Sequence, residues 1–262
     1  MRSPYLRGTG GPLRTVGHRG ALARAPENTI AAMEAGLRCG VDAVEFDVQR
    51  TRDGTPIVIH DETLERTTNG AGRVRERTYG DIRALDAGGH FDPRFAGEGV
   101  PTLADLLAWA APRRIDLVLE LKQPVETARD GGLAAAAVDA VHAYELLERT
   151  LFISFDHPSL VEVLALEPSA RTAALIDSSA VADPLAAARA VPDAMGLHVQ
   201  AGLVSKPLCD AAHRLGMHIH SWGLGGSLER TELARLVACG TDSVSADDPC
   251  ELIAALRALG LR

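Results

Sequence analysis

A short apolar run followed by an Ala/Leu-rich amphipathic segment recurs along most of the 262-residue chain. No other feature limits the possible folds as strongly. The apolar runs predict strands at 14–18, 43–48, 56–60, 116–122, 151–155, 171–176, 195–199, 217–222 and 242–246. The amphipathic stretches predict helices at 27–39, 102–111, 131–148, 157–167, 183–190, 205–215, 227–238 and 249–259. Asp183-Pro184 and Asp248-Pro249 put an acid before proline at a helix start, and Gly40, Gly216 and Gly240 sit just past helix ends. Short connections between alternating strands and helices imply parallel strands joined by right-handed crossovers. Eight such units close a TIM (β/α)8 barrel, which needs about 250 residues. An open doubly wound sheet is the alternative, but no GxGxxG follows the first strand and there is no P-loop.

One stretch breaks the rhythm. Residues 61–101 are rich in glycine and show little periodicity, a long excursion after the apolar run ending at His60. A loop of that length in a compact domain is more often functional than idle. It is a lid, part of a substrate wall, or a decoration.

Composition excludes several partners. A net charge of −8 and a pI near 5.6 argue against nucleic acid or an anionic membrane. The one dense basic patch, residues 73–78, reads as a solvated loop. Cys39, Cys209, Cys239 and Cys250 form no CxxC pair, the pattern of incidental thiols in a reducing compartment. With no signal-peptide core and no transmembrane run, the expectation is a cytoplasmic protein without stable membrane association.

Charge appears where strands should hide carbon. In VEFDVQRTRDGTPIVIHD, residues 44–61, Glu45 and Asp47 lie two apart, hence on one face of a strand and roughly 6.6 Å apart along it. Carboxylates that close repel unless a cation, a proton or a basic side chain intervenes. His18, His60, Glu120, Lys122, Trp222 and Asp247 also fall at or just beyond strand ends. In a parallel barrel those ends share one mouth, where catalytic groups sit. Glu45, Asp47 and Glu120 make an oxygen-rich set suited to Mg²⁺, Ca²⁺ or Mn²⁺. His18 and His60 suit a general acid and base near neutral pH. Arg19 and Lys122 suit a phosphate clamp, and Trp222 is either substrate wall or plain core. Asn28, at a helix start, is either a cap or a ligand. His198, His218 and His220 fall in strands with no assigned role.

These residues resemble a known family. His18-Arg19-Gly20, Pro26-Glu27-Asn28-Thr29, Glu45-Phe46-Asp47-Val48, Thr51-x-Asp53-Gly54, His60-Asp61 and Arg66-Thr67-Thr68 are similar, in order and spacing, to the signature of glycerophosphodiester phosphodiesterases. Pro101-Thr102-Leu103, Leu119-Glu120-Leu121-Lys122 and Ser154-Phe155 continue it, so the likeness runs from about residue 15 to 250. The resemblance implies a single TIM-barrel domain over residues 1–262, with a small insertion after the second barrel strand within residues 61–101. It also implies metal-dependent hydrolysis of small-molecule glycerophosphodiesters to sn-glycerol 3-phosphate and an alcohol. It implies Glu45, Asp47 and Glu120 on the metal, His18 and His60 as acid and base, and Arg19 and Lys122 on phosphate. The sequence departs from the family's Trp-Thr-Val-Asn at Trp222-Gly223-Leu224-Gly225, and from Thr-Asp-x-Pro at Ala246-Asp247-Asp248-Pro249. That leaves open a related phosphodiesterase of lysophospholipids or sugar phosphodiesters, and a barrel that binds diesters without turnover. Which histidine donates, which alcohol leaves and the oligomeric state stay open.

Overall fold

The computed structural model describes residues 3–7, 11–124, 128–177, 183–224 and 230–262. Among these, nine strands form one sheet: β1 (Arg14–Gly17), β2 (Ala43–Arg50), β3 (Pro56–Val58), β4 (Asp116–Leu121), β5 (Thr150–Ser154), β6 (Arg171–Ile176), β7 (Gly196–Gln200), β8 (His218–Leu224) and β9 (Ser243–Ala246). The helices are α1 (Ile30–Cys39), α2 (Tyr79–Ile82), α3 (Leu103–Ala110), α4 (Leu133–Ala143), α5 (His157–Leu166), α6 (Pro184–Arg189), α7 (Lys206–Arg214), α8 (Arg230–Cys239) and α9 (Pro249–Ala258). Parallel pairing runs β1–β9–β8–β7–β6–β5–β4–β2 and returns to β1, so eight strands close into a TIM barrel. β3 lies antiparallel on the outer edge of β2, through Val48–Val58, as an extension rather than a barrel strand. The open-sheet alternative is thereby excluded.

The period of two along each strand separates two cores. Val44, Phe46, Val48, Leu117, Leu119 and Leu121 face outward and pack with Leu103, Leu106, Leu107 and Val138 of the covering helices. Each such side chain, fully buried, contributes on the order of 1.5–3 kcal/mol. The intervening residues face the barrel axis. There Val16, Ala43, Val118, Leu151, Ile153, Ala173 and Leu175 make a small apolar cluster. The rest of the interior is polar: Glu45, Asp47, Glu120, His198, His218, His220, Ser243 and Ser245 are all buried. The leader contributes a plug, with the Tyr5 ring 5.2 Å from that of His218 and Ser3 Oγ 2.9 Å from His218 Nδ1.

Element boundaries moved where side chains compete for the backbone. The helix expected from residue 27 starts at Ile30, because Thr29 is the N-cap and accepts the Ala32 N–H. Asn28, in left-handed backbone at φ 60°, is therefore no cap. The 131–148 helix stops at Ala143, and left-handed Glu145 (φ 57°) leads to a 3₁₀ turn at Leu147–Arg149. The 56–60 strand stops at Val58, since Gln49 Nε2 donates to the carbonyls of Ile59, His60 and Asp61. The first residues of the 227–238 helix lie outside the described residues, as does Gly225. Residues between β3 and α3 bury their own cluster of Ile59, Leu64, Val74, Ile82, Ala87 and Val100 against Ile57.

The reading of all four cysteines as incidental thiols is corrected. Cys39 at the end of α1 and Cys250 at the start of α9 form a disulfide spanning 211 residues of sequence. β1 pairs with β9, so their following helices are neighbours around the barrel, and that brings the two cysteines together. Cys209 and Cys239 are free. No described helix is long and apolar enough to cross a membrane.

Candidate active site

The closing of the barrel assembles the predicted acids. Glu45 and Asp47 face inward because Val44, Phe46 and Val48 take the outer face of β2. β2 pairs with β4 in the register Asp47–Glu120, so these two stand directly abreast. Ligand oxygens of Glu45, Asp47 and Glu120 all lie within 4.8 Å of one another, and all three residues are buried. Burial, then repulsion from Asp47, pushes both Glu45 and Glu120 well above the usual carboxylate range. Burial also opposes the charge on Asp47, but Lys122, His60, Arg19 and the Asn28 amide together hold it below that range. A cluster of buried oxygens that cannot all ionise unaided fits a hard divalent cation.

Neighbouring groups hold these acids in place. Asn28 Nδ2 donates to Asp47 Oδ2 at 2.8 Å, and Asn28 Oδ1 accepts the Asp47 N–H at 3.2 Å. It therefore orients Asp47 instead of capping a helix. The backbone N–H of Arg19, at φ 46°, donates to Glu45 Oε2 at 2.8 Å. A non-glycine residue in left-handed backbone is uncommon and costs energy that the surroundings must offset. Arg19 Nη1 pairs with Glu27 at 2.7 Å, while its Nε lies 3.5 Å from Asp47 and makes no hydrogen bond. Lys122 Nζ lies 2.9 Å from Glu120 and 3.8 Å from Asp47. Both expected phosphate binders thus stand against the acids.

Both histidines have a carboxylate behind them. His18 Nδ1 lies 2.7 Å from Asp247 Oδ1, and His60 Nδ1 lies 2.6 Å from Asp61 Oδ1. Each carboxylate accepts a hydrogen bond from the Nδ1–H, which places the other ring nitrogen, Nε2, away from it. Burial disfavours charge on His18, but Asp247 and Glu45 outweigh it and raise its pKa. Burial lowers the pKa of His60, aided by Lys122 and Arg19 and opposed by Asp47 and Asp61.

Sequence reasoning did not assign roles to Glu27, Arg66 or Asp247. Arg66 donates to Asp61 and, through both terminal nitrogens, to Glu27. A chain of ion pairs therefore runs His60–Asp61–Arg66–Glu27–Arg19. The motif Pro-Glu-Asn-Thr contains Glu27, but nothing local ties it to Arg66, 39 residues on.

Two cavities meet at His60, Glu120, Lys122, Phe155 and Leu175. The inner one, about 250 Å³, also takes in His18, Arg19, Glu45, Trp222 and Asp247. The outer groove, about 870 Å³, extends past Asp61, Arg73 and Arg129. Trp222 stands edge-on to Phe155, ring centroids 5.7 Å apart, and its indole N–H donates to the His198 carbonyl. It is therefore wall, with its one donor used. Gly223 takes φ 81° at a register break between β8 and β9, where a threonine would be strained.

This geometry has counterparts. A model of the glycerophosphoryl diester phosphodiesterase family matches residues 18–251. A glycerophosphodiester phosphodiesterase of Caldanaerobacter subterraneus is 33% identical over 92% of this chain and 97% of its own. The solved glycerophosphodiester phosphodiesterase of Agrobacterium tumefaciens superposes with a TM-score of 0.79 at 31% identity, covering 92% of this chain and 99% of that one. A phosphodiesterase of Oleispira antarctica, solved in complex with the product sn-glycerol-3-phosphate, has a TM-score of 0.81 at 26% identity over 94% and 97% of the two chains. A family match across nearly the whole barrel, with the acids and histidines gathered at one mouth, shows that the chain belongs to the glycerophosphoryl diester phosphodiesterase family.

Proposed function

We propose that the protein hydrolyses glycerophosphodiesters to sn-glycerol 3-phosphate and an alcohol, with a divalent cation on Glu45, Asp47 and Glu120 and with His18 and His60 as the acid-base pair. The observation that carries this reading is the convergence of three buried carboxylates within 4.8 Å beside two carboxylate-backed histidines. Family membership and the product bound in the Oleispira enzyme support the substrate class. An all-oxygen donor set suits Mg²⁺, Ca²⁺ or Mn²⁺. Such an ion, when bound, withdraws charge from a phosphate oxygen and lowers the pKa of a coordinated hydroxyl or water.

The chain's own residues divide the remaining work. His60, held toward its neutral form, takes a proton from the attacking oxygen, which is water or the glycerol 2-hydroxyl. His18, held toward its protonated form, gives a proton to the departing alkoxide as the phosphorus–oxygen bond breaks. Arg19 and Lys122, freed from balancing the acids once a cation is present, face the phosphate's charge. Asp61 and Asp247 fix the ring tautomers. The open groove admits varied alcohols, which suits deacylated head groups and keeps sugar diesters in range.

The test is release of product from glycerophosphocholine by EDTA-stripped protein with each metal restored, beside His18→Ala, His60→Ala and Glu45→Gln. All three variants should lose at least 100-fold in kcat. An activated ester with a p-nitrophenolate leaving group separates the roles. His18→Ala should recover much of its loss there and His60→Ala should not. Inert metal-loaded protein across choline, ethanolamine, lysophospholipid and sugar diesters would refute hydrolysis.

A further inference from the structure

Three histidines lie buried on the axis beneath the acids, and no step above uses them. His198 on β7 and His218 and His220 on β8 are 2%, 1% and 4% exposed. Their hydrogen bonds determine where their protons sit. His218 Nδ1 lies 2.9 Å from both the Met195 carbonyl, which only accepts, and Ser3 Oγ, which can accept as well as donate, so Nδ1 carries the hydrogen. Burial disfavours charge on the ring, leaving it neutral, so His218 Nε2 is an acceptor. His198 Nε2 lies 3.2 Å from that acceptor and must therefore be the donor. Burial, together with the neighbouring histidines, keeps His198 neutral too, which leaves His198 Nδ1 a bare acceptor.

That atom has no hydrogen-bond partner among the described residues. His198 lines the inner cavity, whereas His218 does not. Nε2 is thus spent below the cavity, and Nδ1 is the ring's one polar atom left for it. His220, the other histidine on this floor, is occupied on both sides, with Nδ1 2.8 Å from Ser243 Oγ and Nε2 3.2 Å from Ser245 Oγ. Carbon from Trp222, Phe155, Leu175, Ile153 and Leu224 makes up part of the wall of the same cavity. An acceptor without a donor costs free energy wherever a bound ligand shuts water out.

We propose that His198 is a specificity residue, accepting a hydrogen bond from a free hydroxyl of the glycerol half of the diester, which the inner cavity encloses. This rests on the phosphodiesterase reading above. The phosphate lies where the two cavities meet, beside His60, Glu120 and Lys122, so one half of the diester enters the chamber and the other lies in the groove. A hydroxyl on the enclosed half offers the donor that Nδ1 lacks. An ester or ether at that oxygen presents an acceptor to an acceptor. A free hydroxyl is thereby favoured at that position over its ester or ether.

The test crosses enzyme and substrate. Metal-loaded wild type and His198→Phe, which keeps a ring without an acceptor, are assayed on glycerophosphocholine and on its two monodeoxy analogues. Wild type should lose roughly 10- to 100-fold in kcat/KM on one analogue. His198→Phe should lose as much on the parent substrate and show no further loss on that analogue. Equal discrimination by both enzymes overturns the proposal. A second measurement needs neither turnover nor the variant: ¹⁵N NMR of the wild-type protein titrated with sn-glycerol 3-phosphate. A His198 Nδ1 signal in the unprotonated range that moves upfield on binding supports the assignment. A protonated Nδ1, or a signal that ignores saturating ligand, overturns it. If no diester is hydrolysed, the phosphodiesterase reading fails in the assay while the NMR result still judges the contact.

Discussion

Asp247, one residue past β9, holds His18, one residue past β1, through a 2.7 Å contact between its carboxylate and Nδ1. The two are 229 residues apart and meet because β1 and β9 are neighbours in the closed barrel. The contact sets the ring's tautomer and supports the protonated form.

Asp247→Asn should therefore lower kcat by roughly 10- to 100-fold with little change in KM, the range typical when a partner behind a working histidine is altered. The alkaline limb, at which His18 loses its proton, should also move to lower pH, because the carboxylate that raises its pKa is gone. An unshifted pH profile of kcat would show that Asp247 does not govern His18.

Metal binding should release protons at neutral pH. Glu45 and Glu120 sit well above the usual carboxylate range without a cation, so both bind protons that a cation must displace. Affinity should therefore rise as pH increases from about 5 to 8. Calorimetry of Mn²⁺ binding in buffers of different ionisation enthalpy counts those protons. Asn28→Ala should weaken binding about 10-fold or more by freeing Asp47. Buffer-independent heats would contradict the shifted acids.

The three axial histidines should make the fold acid-sensitive. Burial lowers His218 to about 4 and His220 to about 3, with His198 well below its ordinary value. Each pKa is lower folded than unfolded, so between these values and about 6.5 the unfolded chain binds more protons. Stability is therefore full above pH 6.5 and falls as the pH drops toward 4, by a few kcal/mol in all. Melting temperatures from pH 7.5 to 4.5 measure this, and His220→Gln should flatten the slope. A melting temperature equal at pH 7 and 5 in the parent protein would count against three neutral rings.

Reducing the Cys39–Cys250 bond should destabilise the barrel at its seam. Closing a loop of 211 residues restricts the unfolded chain, and removing such a bond typically costs about 2–4 kcal/mol. Thermal melts with and without reductant, beside Cys39→Ser, give the size of the effect. Intact mass without reductant should be two hydrogens below that of the reduced chain. Four free thiols in the purified protein would restore the reducing-compartment expectation.

Much of this protein was legible locally. Strand-helix alternation determined the parallel strands and favoured a barrel, because a period of two beside a period of about 3.6 says which face of each segment is apolar. The same pattern marked Glu45, Asp47 and Glu120 as exceptions, since an acid at an inward position needs a compensating charge. Tertiary structure alone decided the pairings that make the site work. Asp247 reaches His18, Arg66 ties Asp61 to Glu27, Asn28 clamps Asp47 and Cys39 meets Cys250 across ring closure. The tautomer of His198 depends on the Met195 carbonyl, three residues before it on the chain, and on His218 of the next strand. Local periodicity reports burial, whereas a hydrogen bond depends on which remote atom arrives, and that is settled only when the eight strands close.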